Sequence, residues 1–128
     1  MPAADVIAVA REVVDGRLAG AEGRPAEAAE SFRRAVEVQD RLPYMEPPYW
    51  YYPVRQSLAA AQLAAGRPDD AVQTFRDSLV RTPNNAYALY GLAQALRASG
   101  MTDAAAEAEA RFRAAWSGPV AGPSMAQL

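Results

Sequence analysis

The chain has 128 residues, 13 basic and 15 acidic side chains, a net charge of −2, and neither cysteine nor histidine. All 13 basic residues are arginine, so an imidazole base, a thiolate, a Schiff-base amine and a His or Cys metal ligand are all missing. That excludes most catalytic chemistry and leaves no catalytic residue, metal or cofactor to expect, while 30 alanines in a chain that is 51% hydrophobic point to one domain of closely packed helices.

In chain order, Ile7, Ala10, Val14, Leu18 and Ala21 recur at three- and four-residue steps and predict a first helix with these side chains on one face. Gly23 ends it, and Pro25 opens a second helix with its φ already helical. There Ala28, Phe32, Ala35 and Val36 form the predicted buried stripe, with Glu30, Arg33, Arg34 and Glu37 facing water. Glu30 with Arg34, and Glu37 with Arg41, have the four-residue spacing of helical ion pairs. Residues 23–33, GRPAEAAESFR, return at 66–76 as GRPDDAVQTFR, matching at six of eleven positions 43 residues on. A third helix is therefore expected through Val54, Leu58, Ala61 and Ala65 to Gly66. A fourth follows from Pro68 through Ala71, Phe75 and Leu79, with Asp69 and Asp70 at the favourable end of its dipole.

Thr82-Pro83-Asn84-Asn85 stops that helix and supplies a good N-cap for a fifth, which runs through Leu89, Leu92, Ala93 and Leu96 to Gly100. A sixth extends from Thr102 to about Trp116. Leu58 and Leu92, Ala59 and Ala93, Gly66 and Gly100, and Ala71 and Ala105 are each 34 residues apart, so the period is 34 with about nine extra residues near 42–52. The expectation is all-α: a domain at 3–117 with units at about 5–41, 52–83 and 84–117, an insertion at 42–51, and a flexible tail at 118–128.

This pattern resembles the tetratricopeptide repeat, over about residues 5–117. The family places a small residue in the first helix, alanine twelve positions later, an aromatic four further on, and a closing proline. Unit two supplies Ala59, Ala71, Phe75 and Pro83; unit one supplies Gly16, Ala28, Phe32 and Ala35, with its proline displaced to Pro43. Unit three supplies Ala93 and Ala105 and then departs, with Glu109 at the aromatic position and Phe112 and Trp116 nearby. The resemblance implies three helix pairs in a short right-handed superhelix that binds other proteins. More narrowly, EPPYWYYPVRQSL followed by ALYGLAQALRASG resembles the C-terminal part of larger, functionally unassigned bacterial proteins of this family, which implies a piece of a longer chain.

Two regions are candidate partner-binding surfaces. In the insertion, Tyr44, Tyr49, Trp50, Tyr51 and Tyr52 are five of the chain's eleven aromatics. Either the rings fold back to fill the space between units one and two, or some of them, with Met45, form a ledge for a partner. In the family's architecture the first helix of each unit lines a concave groove. Arg17 in unit one, Gln56 and Leu63 in unit two, and Tyr87, Tyr90, Gln94 and Arg97 in unit three fall on that side. They either receive an extended peptide or a helix, or pack against the tail or a neighbouring unit. Some relatives grip a chaperone's C-terminal carboxylate with lysines and asparagines at fixed inner positions, and neither type stands at those positions here.

The expected function is non-catalytic protein–protein interaction, with self-association or docking to the rest of a longer protein as the alternative. The last helix, carrying Phe112 and Trp116 with only a Gly-Pro tail beyond it, would otherwise be an uncapped array end, so a homodimer is one expectation. A net charge of −2 offers no basic face for nucleic acid. No apolar run approaches the roughly 18 residues that span a bilayer, and the start, with Asp5 and Arg11, does not read as a secretion signal. A soluble, cytoplasmic protein with no membrane partner is expected.

Overall fold

The computed structural model describes residues 2–42 and 53–128, and within them every long element is a helix. These are α1 (Pro2–Ala21), α2 (Pro25–Arg41), α3 (Val54–Ala64), α4 (Pro68–Arg81), α5 (Ala86–Ala98) and α6 (Thr102–Ala115), followed by a 3-10 turn at Met125–Gln127. Each helix packs against the next in sequence, and α3 also meets α5. The result is an all-α array of three helix–turn–helix pairs. The insertion residues Tyr44, Met45, Tyr49, Trp50, Tyr51 and Tyr52 lie outside the described residues.

The turn inside each pair is the same device three times over. Gly23, Gly66 and Gly100 take φ of +74°, +78° and +78°, where a β-carbon is disfavoured. The following residue then donates its N–H back into the helix: Arg24 to the Ala19 carbonyl at 2.8 Å, Arg67 to Gln62 at 2.9 Å and Met101 to Leu96 at 2.9 Å. This closes otherwise orphaned carbonyls. Pro25 and Pro68 then occupy the opening turns of α2 and α4, where a missing N–H costs nothing. Between the second and third pairs, the side chain of Asn85 caps α5 by accepting from the N–H groups of Tyr87 (3.1 Å) and Ala88 (3.4 Å).

The stripes expected on α2, α4 and α5 are buried: Ala28, Phe32, Ala35 and Val36; Ala71, Phe75 and Leu79; Leu89, Leu92, Ala93 and Leu96. Helix α3 serves two clusters at once. Val54, Leu58 and Ala61 face the first pair, while Ala59 joins Phe75, Leu92 and Ala105 in the second cluster.

Helix α1 departs from the sequence reading. Ile7, Val14 and Leu18 do share a face, but it is the outer one, with 61%, 63% and 56% of their surface exposed. Val9, Gly16 and Ala19 are buried instead, with Val13 packed beside them. Both sides of α1 are apolar, so periodicity does not choose between them. The Phe32 ring does: a β-carbon at position 16 would lie 2.8 Å from its Cε1, so the bare side of Gly16 is the one turned to α2.

The surface charges also pair differently from the spacing. Arg33, not Arg34, takes Glu30 at 2.5 Å and also holds Glu37, while Arg34 crosses to Glu12 on α1 at 3.1 Å. Arg55 and Arg81 both reach Asp40, at 2.5 and 3.4 Å, so α3 and α4 are tied to the end of α2.

Candidate functional site

The first helices of the three pairs share one side of the array, and the segment after α6 crosses it. Residues 118–128, expected to be a flexible tail, follow a defined course here. Trp116 ends α6 and its indole Nε1 donates to the Pro119 carbonyl at 2.7 Å, drawing the chain over at once. Gly122, at φ +77°, turns it again, with its N–H on the Pro119 carbonyl at 2.9 Å. The 3-10 turn is closed by the Ser124 N–H donating to Gln127 Oε1 at 2.8 Å, and Met125 packs against the core cluster.

Leu128 ends this course buried, 1% exposed, within the cluster that includes Phe75, Ala88 and Leu92. Each inner helix contributes one group to it. From α5, Gly91 leaves space that a β-carbon would fill, 2.7 Å from Leu128 Cδ2. From α3, the buried Ser57 hydroxyl donates to the Leu128 main-chain oxygen. From α1, Arg17 Nη2 donates to the same oxygen at 2.9 Å and to Ser57 Oγ at 3.3 Å. The Arg17 guanidinium stands 5.9 Å from the Phe32 ring centroid. Partial burial lowers its pKa from the ordinary value, but a guanidinium remains charged at physiological pH and strengthens the bonds it donates.

Beside this seat runs a row of rings. Tyr87 meets Trp116 edge-on at 5.6 Å, Trp116 lies 5.5 Å from Phe112, and Phe112 lies 5.6 Å from Tyr90. Phe112 and Trp116 thus answer the absence of an aromatic at position 109. Against this row a cleft of about 540 Å³ opens between α5, α6 and the tail, lined by Tyr90, Gln94, Arg97, Glu109 and Arg113 among others. Glu109 binds both Arg97 and, at 2.8 Å, Arg113, so one carboxylate sits between two guanidinium groups.

The structure therefore divides the groove residues named from the sequence. Tyr90, Gln94 and Arg97 come together in the cleft, and Tyr87 joins them through Trp116. Arg17 lies apart, at the Leu128 seat. Leu63 is half-buried against the core cluster. Gln56 is buried, 4% exposed, and its Oε1 accepts from Asn85 Nδ2 at 2.9 Å, so it braces the start of α5. Ser57, Gly91 and Leu128 were missed. Ser57 and Gly91 stand one 34-residue period apart and are both buried small residues, and their matched register was the available signal. No local pattern marks Leu128.

Among the described residues no cluster of three or more acidic, histidine or cysteine side chains is placed to hold a metal ion. No helix among them is long and apolar enough to cross a membrane. A family model described as tetratricopeptide repeat matches residues 57–119, which span α3 to α6 and the turn over Trp116. No curated protein matches the chain.

Proposed function

Residues 57–119 belong to the tetratricopeptide repeat family, whose repeats are typically non-catalytic and bind other proteins, and on that premise we propose that this chain receives a peptide or helix of a partner protein on its concave side. The observation that carries this reading is the cleft of about 540 Å³ against Tyr90, with aromatic, amide and guanidinium groups lining one space. Rings give contact area at little entropic cost, and Arg and Tyr are frequent interface anchors. Tyr87, Tyr90, Gln94 and Arg97 are the contact residues of this reading. The insertion residues Tyr44, Met45, Tyr49 and Trp50 are proposed as a second contact region. The module acts by recognition rather than catalysis, with no cofactor.

The test is selection of displayed peptides on the immobilised chain, followed by affinity measurement with Tyr90→Ala and Arg97→Ala. Each variant is expected to weaken a selected peptide about tenfold, or about 1.4 kcal/mol, with a nearly unchanged melting temperature. Unfolding of both variants at markedly lower temperature would make these residues core and defeat the groove reading. For the insertion, Trp50→Ala should reduce peptide affinity without moving the melting curve; a large loss of stability assigns Trp50 to the core.

A second reading, self-association, is favoured by a different observation: the outward apolar stripe of Ile7, Val14 and Leu18 on α1. Contiguous exposed apolar surface of this kind is commonly an interface. Light scattering coupled to gel filtration tests it, with Val14→Asp expected to abolish a dimer. A strict monomer at high concentration rules it out.

A further inference from the structure

The contacts at Leu128 are those of a bound peptide. One aliphatic side chain is wholly buried, and one main-chain oxygen is gripped by a hydroxyl and a guanidinium from two different helices. The first part of the path leading to it is open: Ser117, Gly118, Pro119, Val120 and Ala121 are all exposed, Val120 fully so. The segment is thus pinned at Trp116 and again from Gly122, beside the Phe112 ring, through buried Pro123 to Leu128, with residues 117–121 solvated between. Of residues 117–128 only Pro123 and Leu128 are buried, so release of the segment breaks few buried contacts together.

We propose that Gly91, Ser57 and Arg17 form a receptor for one aliphatic residue and its main-chain oxygen in an extended polypeptide, and that residues 117–128 occupy it in cis until a partner's segment of like chemistry displaces Leu128. The seat selects that chemistry on three counts. The space over Gly91 admits a leucine-sized side chain against Phe75. Ser57 and Arg17 supply only donors to the bound oxygen. No charged side chain is needed along the path, because residues 117–128 carry none. This inference rests on the reading above that the concave side binds polypeptide.

A tethered occupant competes at an effective concentration on the order of millimolar. For a segment that binds with a dissociation constant of about 10–100 μM, the cis occupant should therefore weaken binding by about ten- to a hundredfold. The probe is a labelled synthetic peptide of residues 117–128, titrated by fluorescence anisotropy into the full chain and into full-length Leu128→Arg. That variant evicts its own tail by placing a cation beside Arg17. Leu128→Arg should bind the peptide at least tenfold more tightly than the unmodified chain, and adding Arg17→Ala should remove most of that gain. Equal affinity in the two chains overturns the inference while leaving the general reading standing. If Leu128→Arg binds neither this peptide nor any selected one, both fall.

Should Leu128→Arg not fold, hydrogen exchange of the unmodified chain decides. The Gln127 and Leu128 amides, bonded to the Ser124 and Met125 carbonyls, should lose protection when the unlabelled peptide is added in excess. Unchanged protection at saturating peptide overturns the proposal.

Discussion

The ring of Phe75 lies directly on the bare α-carbon of Gly91: a β-carbon there would fall 2.2 Å from Phe75 Cζ. The same β-carbon would also strike Leu128 at 2.7 Å, so one missing methyl group lets the fourth helix, the fifth helix and the tail meet. Gly91→Ala should consequently lower stability by about 1–3 kcal/mol, the range for overpacking a closed core. Urea unfolding measures it. Helix propensity alone would favour alanine here by up to about 1 kcal/mol, so a stabilised variant would show that the close approach is not made in solution.

Phe75 itself is fully buried and holds the second and third pairs together. Phe75→Ala is expected to cost about 3–5 kcal/mol, enough to unfold a small domain of ordinary stability. Circular dichroism during heating checks this. A cooperative transition near the unmodified temperature would contradict the packing described.

Asn85 has two duties that substitution can separate. Its Oδ1 caps the fifth helix, while its Nδ2 donates to the buried Gln56. Asn85→Ala should cost about 1–2 kcal/mol for the lost cap, and more for the Gln56 amide left without that donor. Asn85→Asp restores the cap but not the donor, and places an anion facing the Gln56 oxygen. It should therefore recover only part of the loss, as read from denaturant midpoints. Full recovery would show that the Gln56 bond contributes nothing.

Glu30 offers a pH test of the outer face. Its hydrogen bond with Arg33 holds its carboxyl below the ordinary value of 4.5. The folded pKa is depressed, so the stabilisation is present above the unfolded value and is lost as pH falls through the folded one. Glu30→Gln should lower the melting temperature slightly at pH 7, and the difference between the two proteins should close as pH falls below about 4.5. The pair is exposed, so the effect should also shrink with added salt. A fall identical in both proteins would show that the pair adds no stability.

Much of the fold was legible in the residues because its signals are local. Gly23, Gly66 and Gly100 with the prolines after the first two mark where helices stop and restart, and those choices depend on backbone torsion within a few residues. The 34-residue register of Ala59 with Ala93 and Ala71 with Ala105 disclosed the pairing. The site was less legible. Tyr90, Gln94 and Arg97 could be grouped because they share one helix face, but Gln56, at the place equivalent to Tyr90, proved to brace Asn85 instead.

By itself, then, the sequence determined six helices, their order, their turns and the buried stripes of the second to the fifth, since torsional preference and apolar spacing act within a helix. Tertiary packing alone decided which side of the first helix is buried, where Phe32 needs the space above Gly16. It alone brought Leu128 to Ser57 and Arg17, residues 71 and 111 positions away. No periodicity reaches that far. Such contacts exist only once the three inner helices stand side by side and leave, at Gly91, a space of the right size.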